Sequence, residues 1–370
     1  MANSFITIQE IARAALPRLI ENLVFPNLIY KDFSGDFERN LGDTIQVRKP
    51  VVLEAQEFDP SSGTSAQDIT ETSVPVTLDK IATVDVEITA IQGATNINDL
   101  TRQFLEPAAV ALAQKINSDG LALYKDIPYI GGTAGTTPDG LDDLAAMRRI
   151  LNTNKVPVSP RYAVWDTAAD AALVTVPAIV NAEKSGDTQA LREGSLGRVM
   201  GLDNYMSQAV KAHTTGITAA TAVKVNGAVT AGATSLAIDG TSLTGKLLKG
   251  DLLTISGKTY TVTEDTAAAS SNAIATVKVY PALDAIADNT DVTLVGNHTA
   301  NLGFHPSAFA FVTRPLVNPS GVDSYVTSYN GVSLRVVKGY NMTYKKETLS
   351  MDVLYGYKTM YPELAVRYLG

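Results

Sequence analysis

Between residues 44 and 90, apolar and polar side chains alternate along two runs, and the stretch joining the runs holds nothing large enough to anchor a core. Ile45 and Val47 lie in the first run, and Val74, Val76, Ile81, Val84, Val86 and Ile88 in the second. A period of two rich in β-branched residues is the pattern of half-buried strands. Between them, Asp59-Pro-Ser-Ser-Gly-Thr-Ser-Ala-Gln-Asp68 is a polar turn segment. The expectation is an extended hairpin arm, not a compact domain. Two strands alone are marginally stable in water at best, so the arm needs a further surface to cover it.

The N-terminal segment makes the same demand. Thr7-Ile-Gln-Glu10 has the form of a capping box, and Ile8, Ile11, Ala12, Ala15, Leu19, Ile20 and Leu23 follow at helical spacing. An amphipathic helix is expected, with Pro17 kinking or splitting it because proline lacks a backbone donor. A helix this short is not stable alone. A closed symmetric assembly of copies would supply cover for both elements.

Charge adds a polarity to the chain. Residues 44–90 carry eight acidic and three basic side chains, a net of −5, whereas residues 325–370 carry six basic and three acidic, a net of +3. Lys345, Lys346 and Arg335 are thus expected to meet either the acidic arm of a neighbouring copy or nucleic acid. The net charge of −8 over 370 residues excludes nucleic-acid wrapping as the main task and allows DNA only loose contact. With 45% hydrophobic and 18% charged residues, the chain can fill two or three modules and leaves some surface for partners. No cysteine is present, which excludes disulfides, thiolate nucleophiles and cysteine-bound metals. No signal sequence or membrane span is expected, and hence a cytoplasmic site of synthesis.

Leu105, Ala109, Leu112, Ile116, Leu123 and Ile127 mark one face of a helix of roughly 25 residues, on the order of 35 Å long, with Gly120 on the same stripe. Asp139 opens a second helix through Leu144, Met147, Ile150 and Leu151, followed by a strand at Arg161-Tyr-Ala-Val-Trp165 and an Ala-rich helix near 167–174. Residues 217–298 change texture, with Thr, Ala, Val and Gly abundant. Ser235-Leu-Ala-Ile238, Leu252-Leu-Thr-Ile255, Lys258-Thr-Tyr-Thr-Val262 and Ala275-Thr-Val-Lys-Val-Tyr280 suggest a small inserted antiparallel barrel. From Ala308 the chain is β-rich again, through Gly331-Val-Ser-Leu-Arg-Val-Val337 and Leu349-Ser-Met-Asp-Val-Leu-Tyr355.

The chemical inventory is poor. Gly131, Gly132 and Gly135 lack the following Gly-Lys-Ser/Thr of a phosphate loop, and Gly194, Gly197 and Gly201 do not open a helix after a strand, so turns are expected. Asp139, Asp142, Asp143, Asp166 and Asp170 are better read as first-turn and capping carboxylates than as metal ligands. His213, His298 and His305 each stand alone in sequence, His305 as a packed or capping residue, and no Gly-x-Ser-x-Gly elbow is present. Lys80, which could in principle form an isopeptide link to a neighbour's Asn, is read as solvated or ion-paired. No catalytic, cofactor-binding or metal-binding residue is assigned, and no cofactor is expected.

In order of parts the chain resembles the major capsid proteins of tailed bacteriophages, with their α+β Hong Kong 97-like (Johnson) fold. Two stretches carry the likeness. Ala190-Leu-Arg-Glu-Gly194-Ser-Leu-Gly197-Arg-Val-Met-Gly201-Leu-Asp-Asn-Tyr-Met-Ser207 looks like that family's axial-domain helix, turn and strand, and Phe304-His-Pro-Ser-Ala-Phe309-Ala-Phe311-Val-Thr-Arg-Pro315-Leu looks like the return to the main fold. The insertion and Leu23-Val-Phe25 narrow the likeness to coat proteins of short-tailed Salmonella phages. The resemblance implies an N-terminal arm at 1–43, an E-loop hairpin at 44–90, a peripheral-domain spine helix at 91–130 and a first axial part at 131–216. It further implies an inserted β-barrel at 217–298, an axial return at 299–324 and peripheral C-terminal strands at 325–370. It also implies hexamers and pentamers of the chain itself, scaffolding protein and portal as partners, loosely held double-stranded DNA, no membrane, and a place in the virion capsid. An encapsulin-like shell, a bacterial surface adhesin and a hydrolase with a dispersed site are the competing readings.

Overall fold

The computed structural model describes residues 8–31, 44–48, 73–89, 97–181, 189–329, 331–342 and 346–370. The expected hairpin tip at 59–68, Thr7 of the capping box and Lys345 lie outside these. The chain mixes helices and strands and divides into two compact units, one of Met1–Ile20, Lys31–Ala109 and Ala310–Met360, the other of Glu21–Tyr30, Val110–Phe309 and Tyr361–Gly370.

In the first unit, β1 (Thr44–Arg48) pairs antiparallel with β2 (Ser73–Thr77), Thr44 opposite Thr77 and Arg48 opposite Ser73. The second expected run is not one strand. It breaks at Leu78 and Asp79, and β3 (Lys80–Thr89) pairs instead with β19 (Lys346–Thr359) over ten residues, from Lys80 opposite Tyr355 to Thr89 opposite Lys346. The order β16 (Phe309–Thr313), β19, β18 (Val332–Asn341), β17 (Asp323–Tyr329), with β3 also on β19, makes β19 the centre of this sheet. Its Met351, Val353 and Tyr355 are buried at the strand period of two. Helix α1 (Ile8–Asn22) is not split at Pro17. Pro17 faces solvent while Ala12, Ala15, Leu16 and Leu19 are buried, so the loss of one helical hydrogen bond is outweighed by packing of the apolar stripe.

Where β19 passes β2, the fold demands a glycine. A Cβ at Gly356 would run into the Thr77 carbonyl oxygen and lie 3.3 Å from the Leu78 Cα, both backbone. Gly356→Val is expected to destabilise this unit by about 1–3 kcal/mol, the usual range for overpacking, or somewhat more. A chemical-denaturation midpoint equal to that of the native chain would contradict the packing described.

In the second unit, α2 (Phe25–Leu28) follows α1 at a bend held by one side chain of α3 (Ile97–Leu121). Asn117 Oδ1 accepts from the backbone N–H of Val24 and Phe25, each at 3.2 Å, and its Nδ2 donates to the Asn22 carbonyl at 3.0 Å. Helix α3 has the expected 25 residues but starts earlier and stops at Leu121. Gly120 weakens the last turn, the chain tightens into a 3-10 turn at Ala122–Asp126, and Leu123 is therefore half-buried instead of lying on the core stripe.

A seven-stranded sheet follows in the order β4 (Ile130–Gly132), β20 (Ala365–Leu369), β15 (His298–Phe304), β5 (Tyr162–Trp165), β7 (Leu202–Met206), β6 (Arg198–Val199), with β8 (Ala212–His213) pairing the start of β15. On one face, α4 (Leu141–Thr153) and α5 (Thr167–Val174) bury Leu144, Met147, Leu151 and Leu173 with Trp165, Val366 and Tyr368. Short helices α6 (Pro177–Val180) and α7 (Gln189–Glu193) complete this part. Alternation along β15 sends Phe304, Leu302 and His298 to the other face. There Phe304 packs edge-on against Phe25 and Phe309, with ring centroids 5.4 Å apart in each pair.

Between β8 and β15 the chain forms a separate six-stranded antiparallel sheet. Its order is β14 (Val292–Leu294), β11 (Leu252–Ile255), β12 (Lys258–Val262), β13 (Ala273–Tyr280), β10 (Ser235–Gly245), β9 (Ile217–Val225). A bridge between Lys224 and Asp291 joins its two edge segments. It has its own core, including Val225, Ile238, Leu253, Ile255, Val262 and Val277. The strands expected at 252–255 and 258–262 coincide with β11 and β12.

Candidate functional site

The turn Lys249-Gly250-Asp251 at the head of β11 meets the seven-stranded sheet in the most polar buried region of the second unit. Gly250 has φ +95, and a Cβ there would lie 2.6 Å from the Lys125 side chain, so only glycine allows the turn to approach the 3-10 segment this closely. Thr261 of β12 donates to the Lys125 carbonyl at 2.8 Å, and Lys249 pairs with Asp126 at 2.9 Å.

Four further side chains close the cluster. His213 Nε2 stands 2.7 Å from Asp251 Oδ1, and the other Asp251 oxygen accepts from the Leu248 N–H at 2.8 Å. A carboxylate accepting at both oxygens places the proton on His213 Nε2, and His213 Nδ1 then accepts from the Tyr124 hydroxyl at 2.9 Å. Arg367 lies over the Tyr124 ring, 4.5 Å from its centroid, and donates from Nη1 to the Gly250 carbonyl at 2.7 Å. His298 stacks at 5.2 Å from His213 and donates from Nδ1 to the Gly296 carbonyl at 2.7 Å. Burial holds the Tyr124 phenol protonated, and lowers Arg367 to about 9, which leaves it charged at neutral pH. His298 is pushed down to about 4, first by burial and then by the Arg367 charge.

Tyr124, His213 and Asp251 thus form a hydroxyl–imidazole–carboxylate relay of the kind that activates nucleophiles. Here the relay is closed to substrate: the three residues are 3%, 3% and 2% exposed, and the phenol is capped by Arg367. It binds two parts of the unit together. The expectation that each histidine stands alone is corrected at His213 and His298, which 85 sequence positions separate and the β8–β15 pairing rejoins, His298 opposite His213. Tyr124, Asp251 and Arg367 carry no local motif. The one local signal is a buried-strand pattern interrupted by a polar residue, at His298 in β15 and at Arg367 in β20.

The other sequence candidates take structural places. Gly131 and Gly132 lie against the Tyr368 ring, and Gly135, Gly194, Gly197 and Gly201 adopt positive φ in turns. Gly140, not Asp139, is the N-cap of α4, and the Asp143 carboxylate at N3 reaches back to accept from the backbone N–H of Asp139 and Gly140 at 2.9 and 3.1 Å and from the Tyr368 hydroxyl at 2.6 Å. Asp166 caps α5 through the N–H groups of Ala168 and Ala169. Asp142 lies in the first turn of α4, and burial and Asp166 raise the Asp170 pKa. Among the described residues no set of three acidic or histidine side chains converges as a metal site. His305 caps the 3-10 turn at Pro306–Ala308 by accepting from Ser307. Lys80 sits at the start of β3. Within the chain, Arg335 pairs with Asp352 at 2.6 Å and Lys346 with Glu87 at 2.7 Å. The β3–β19 pairing sets Thr89 opposite Lys346 and Ile88 opposite Glu347, which puts the acidic and basic segments side by side.

No family model matches the sequence, and no curated protein matches it. Solved structures do. A chain of Mycobacterium phage Che8 aligns at 16% identity over 94% of this chain and 90% of its own, with a TM-score of 0.54. A chain from the capsid of cyanophage P-SCSP1u aligns at 14% identity, over 89% and 84%, with a TM-score of 0.49. One from the mature capsid of bacteriophage PhiM1 aligns at 10%, over 93% and 85%, at 0.47. Over nearly its whole length the chain therefore shares the fold of the chain from Mycobacterium phage Che8.

Proposed function

We propose that the chain is the major capsid protein of a tailed bacteriophage, a structural subunit and not an enzyme. It forms the hexamers and pentamers of an icosahedral head around a double-stranded DNA genome, with scaffolding protein and portal as assembly partners, in the cytoplasm of the bacterial host. The observation that carries the reading is the fold likeness to the phage Che8 chain across 94% of this chain. The residues at 190–207 and 304–316 support it. So do Ile81, Val317, Tyr329, Tyr340 and Met342, large apolar side chains exposed in the first unit, which a lone subunit would leave in water.

In this reading residues 1–43 are the N-terminal arm, 44–90 the E-loop, 91–130 the spine, 131–216 and 299–324 the axial domain and 325–370 the peripheral strands. The pairing of β20 with β15 and β4 favours assigning the last residues to the axial sheet. Residues 217–298 are the inserted domain, of the kind carried by coat proteins of short-tailed Salmonella phages. The Lys224–Asp291 bridge between its edge strands and its separate core support a closed barrel. DNA contact is loose, as the charge of −8 requires.

Electron microscopy of the full chain, expressed alone and with a candidate scaffolding protein, tests the proposal. Hollow shells of uniform size are expected. Soluble monomers under every condition would refute a shell protein, and shells packed with an enzyme would replace the phage reading by an encapsulin-like one.

A further inference from the structure

We propose that Tyr124, His213, Asp251, His298 and Arg367 form an acid-sensitive latch that holds the six-stranded sheet of residues 217–294 on the seven-stranded sheet, with His298 as the group whose protonation opens it. The inference stands whether or not the chain builds a shell.

Among the described residues, the polar contacts that fasten the six-stranded sheet to the rest of its unit gather at this cluster. Asp251 meets His213, the Gly250 carbonyl meets Arg367, Lys249 meets Asp126 and Thr261 meets the Lys125 carbonyl. Asp251 and Arg367 are both buried, and they are not in direct contact. Asp251 is occupied by the His213 and Leu248 N–H groups, while Arg367 has the Gly250 carbonyl and the Tyr124 ring.

His298 faces Arg367 from β20 and His213 from β8, with Asp251 beyond His213. Its Nδ1–H is committed to Gly296, and its Nε2 makes no hydrogen bond among the described residues. A proton added there puts a second cation beside Arg367, with no carboxylate hydrogen-bonded to it. Separation of the sheet relieves that repulsion by hydrating both cations. Solvent reaches the edge of the latch already: a recess of about 190 Å³ is lined by Thr215, Ile217, Thr218, Leu247, Asp251 and Gly296, the last being the residue His298 bonds.

The direction with pH follows from which state binds the proton. A hydrated histidine titrates near 6.5, whereas docked His298 is pushed down to about 4. The undocked state therefore takes up the proton first as pH falls. Docking is at full strength above about 6.5, and the open fraction rises about tenfold per pH unit between there and about 4.

Hydrogen exchange on the full chain, followed by NMR at side-chain and amide protons and corrected for the intrinsic pH dependence, reads this directly. The Arg367 Nη1 proton, which bonds the Gly250 carbonyl across the two sheets, reports opening. Leu253, inside the six-stranded sheet, is the reference. The native chain should show about tenfold more opening at the Arg367 proton per pH unit below 6.5, with Leu253 steady. His298→Asn keeps a donor for Gly296 and cannot titrate, so its opening should stay flat with pH. Equal pH dependence in native and variant, or its loss only in His213→Gln, would overturn the assignment. NMR titration of the native His298 ring guards against a variant that does not fold: a midpoint well below 6.5 is required, and one at or above 6.5 would refute the latch.

Discussion

Phe304→Ala is expected to cost the second unit about 3–5 kcal/mol, the range for emptying a fully buried phenylalanine site. The ring is 0% exposed and sits where three segments converge. Phe25 comes from the N-terminal bend, Phe309 from the return strand and Tyr162 from β5, with centroids 5.4, 5.4 and 6.2 Å away. Edge-to-face contacts of this kind add to the transfer term, because each ring presents its positive edge to its neighbour's face. The site cannot collapse easily. Phe25 and Phe309 are themselves 0% exposed and also pack on each other at 5.5 Å, so neither can move into the space without leaving its own. Denaturant unfolding followed by circular dichroism should show the loss as a lowered midpoint at unchanged slope. A loss below about 1 kcal/mol would mean that the Asn117 bonds to Asn22, Val24 and Phe25, and not the aromatic cluster, hold the N-terminal bend.

What could be read from the sequence divides along the range of the interactions. Periodicity and capping are local, and they located α5 through its Asp166 cap, the strands β11 and β12, and the foot of the hairpin at β1 and β2. Errors arose where a distant partner decides. The alternation of Val74, Val76 and Leu78 resumes in phase at Val84, Val86 and Ile88 after a break at Lys80 and Ile81, and its halves serve different strands, because β19 arrives from more than 250 residues away to pair with the second half. Leu123 fits the helical stripe, but the helix had already tightened at Gly120. The polar cluster was the least visible feature. Its residues come from a 3-10 turn, a two-residue strand, a tight turn and two late strands, and nothing in the spacing of Tyr124, His213, Asp251, His298 and Arg367 announces that they meet. Composition told the opposite story, since three histidines in 370 residues suggested three isolated side chains.

Asp251→Leu should release the six-stranded sheet at neutral pH, with a loss of docking of about 3–5 kcal/mol, the usual result of deleting one member of a buried charged network. Leucine keeps the branched shape but is larger, so no cavity forms, and overpacking against His213 and Leu248 adds to the loss of charge. The buried His213 Nε2–H and the Leu248 N–H lose their acceptor, and Arg367 loses the carboxylate among its charged neighbours in the cluster. Asp251→Asn separates these contributions. Its amide oxygen still accepts one of the two hydrogen bonds, so about 1–3 kcal/mol is expected for the donor left over. Neither change touches Leu253, Ile255, Val262 or Val277, so the core of the sheet should remain protected from exchange while the Arg367 Nη1 proton becomes labile. Docking and internal folding of the sheet are then separate equilibria, joined at the Lys249–Asp251 turn. If instead the Leu253 amide and the Arg367 Nη1 proton lost protection together in Asp251→Leu, the sheet would depend on its docking to fold. The cluster would then act as part of its core and not as a latch.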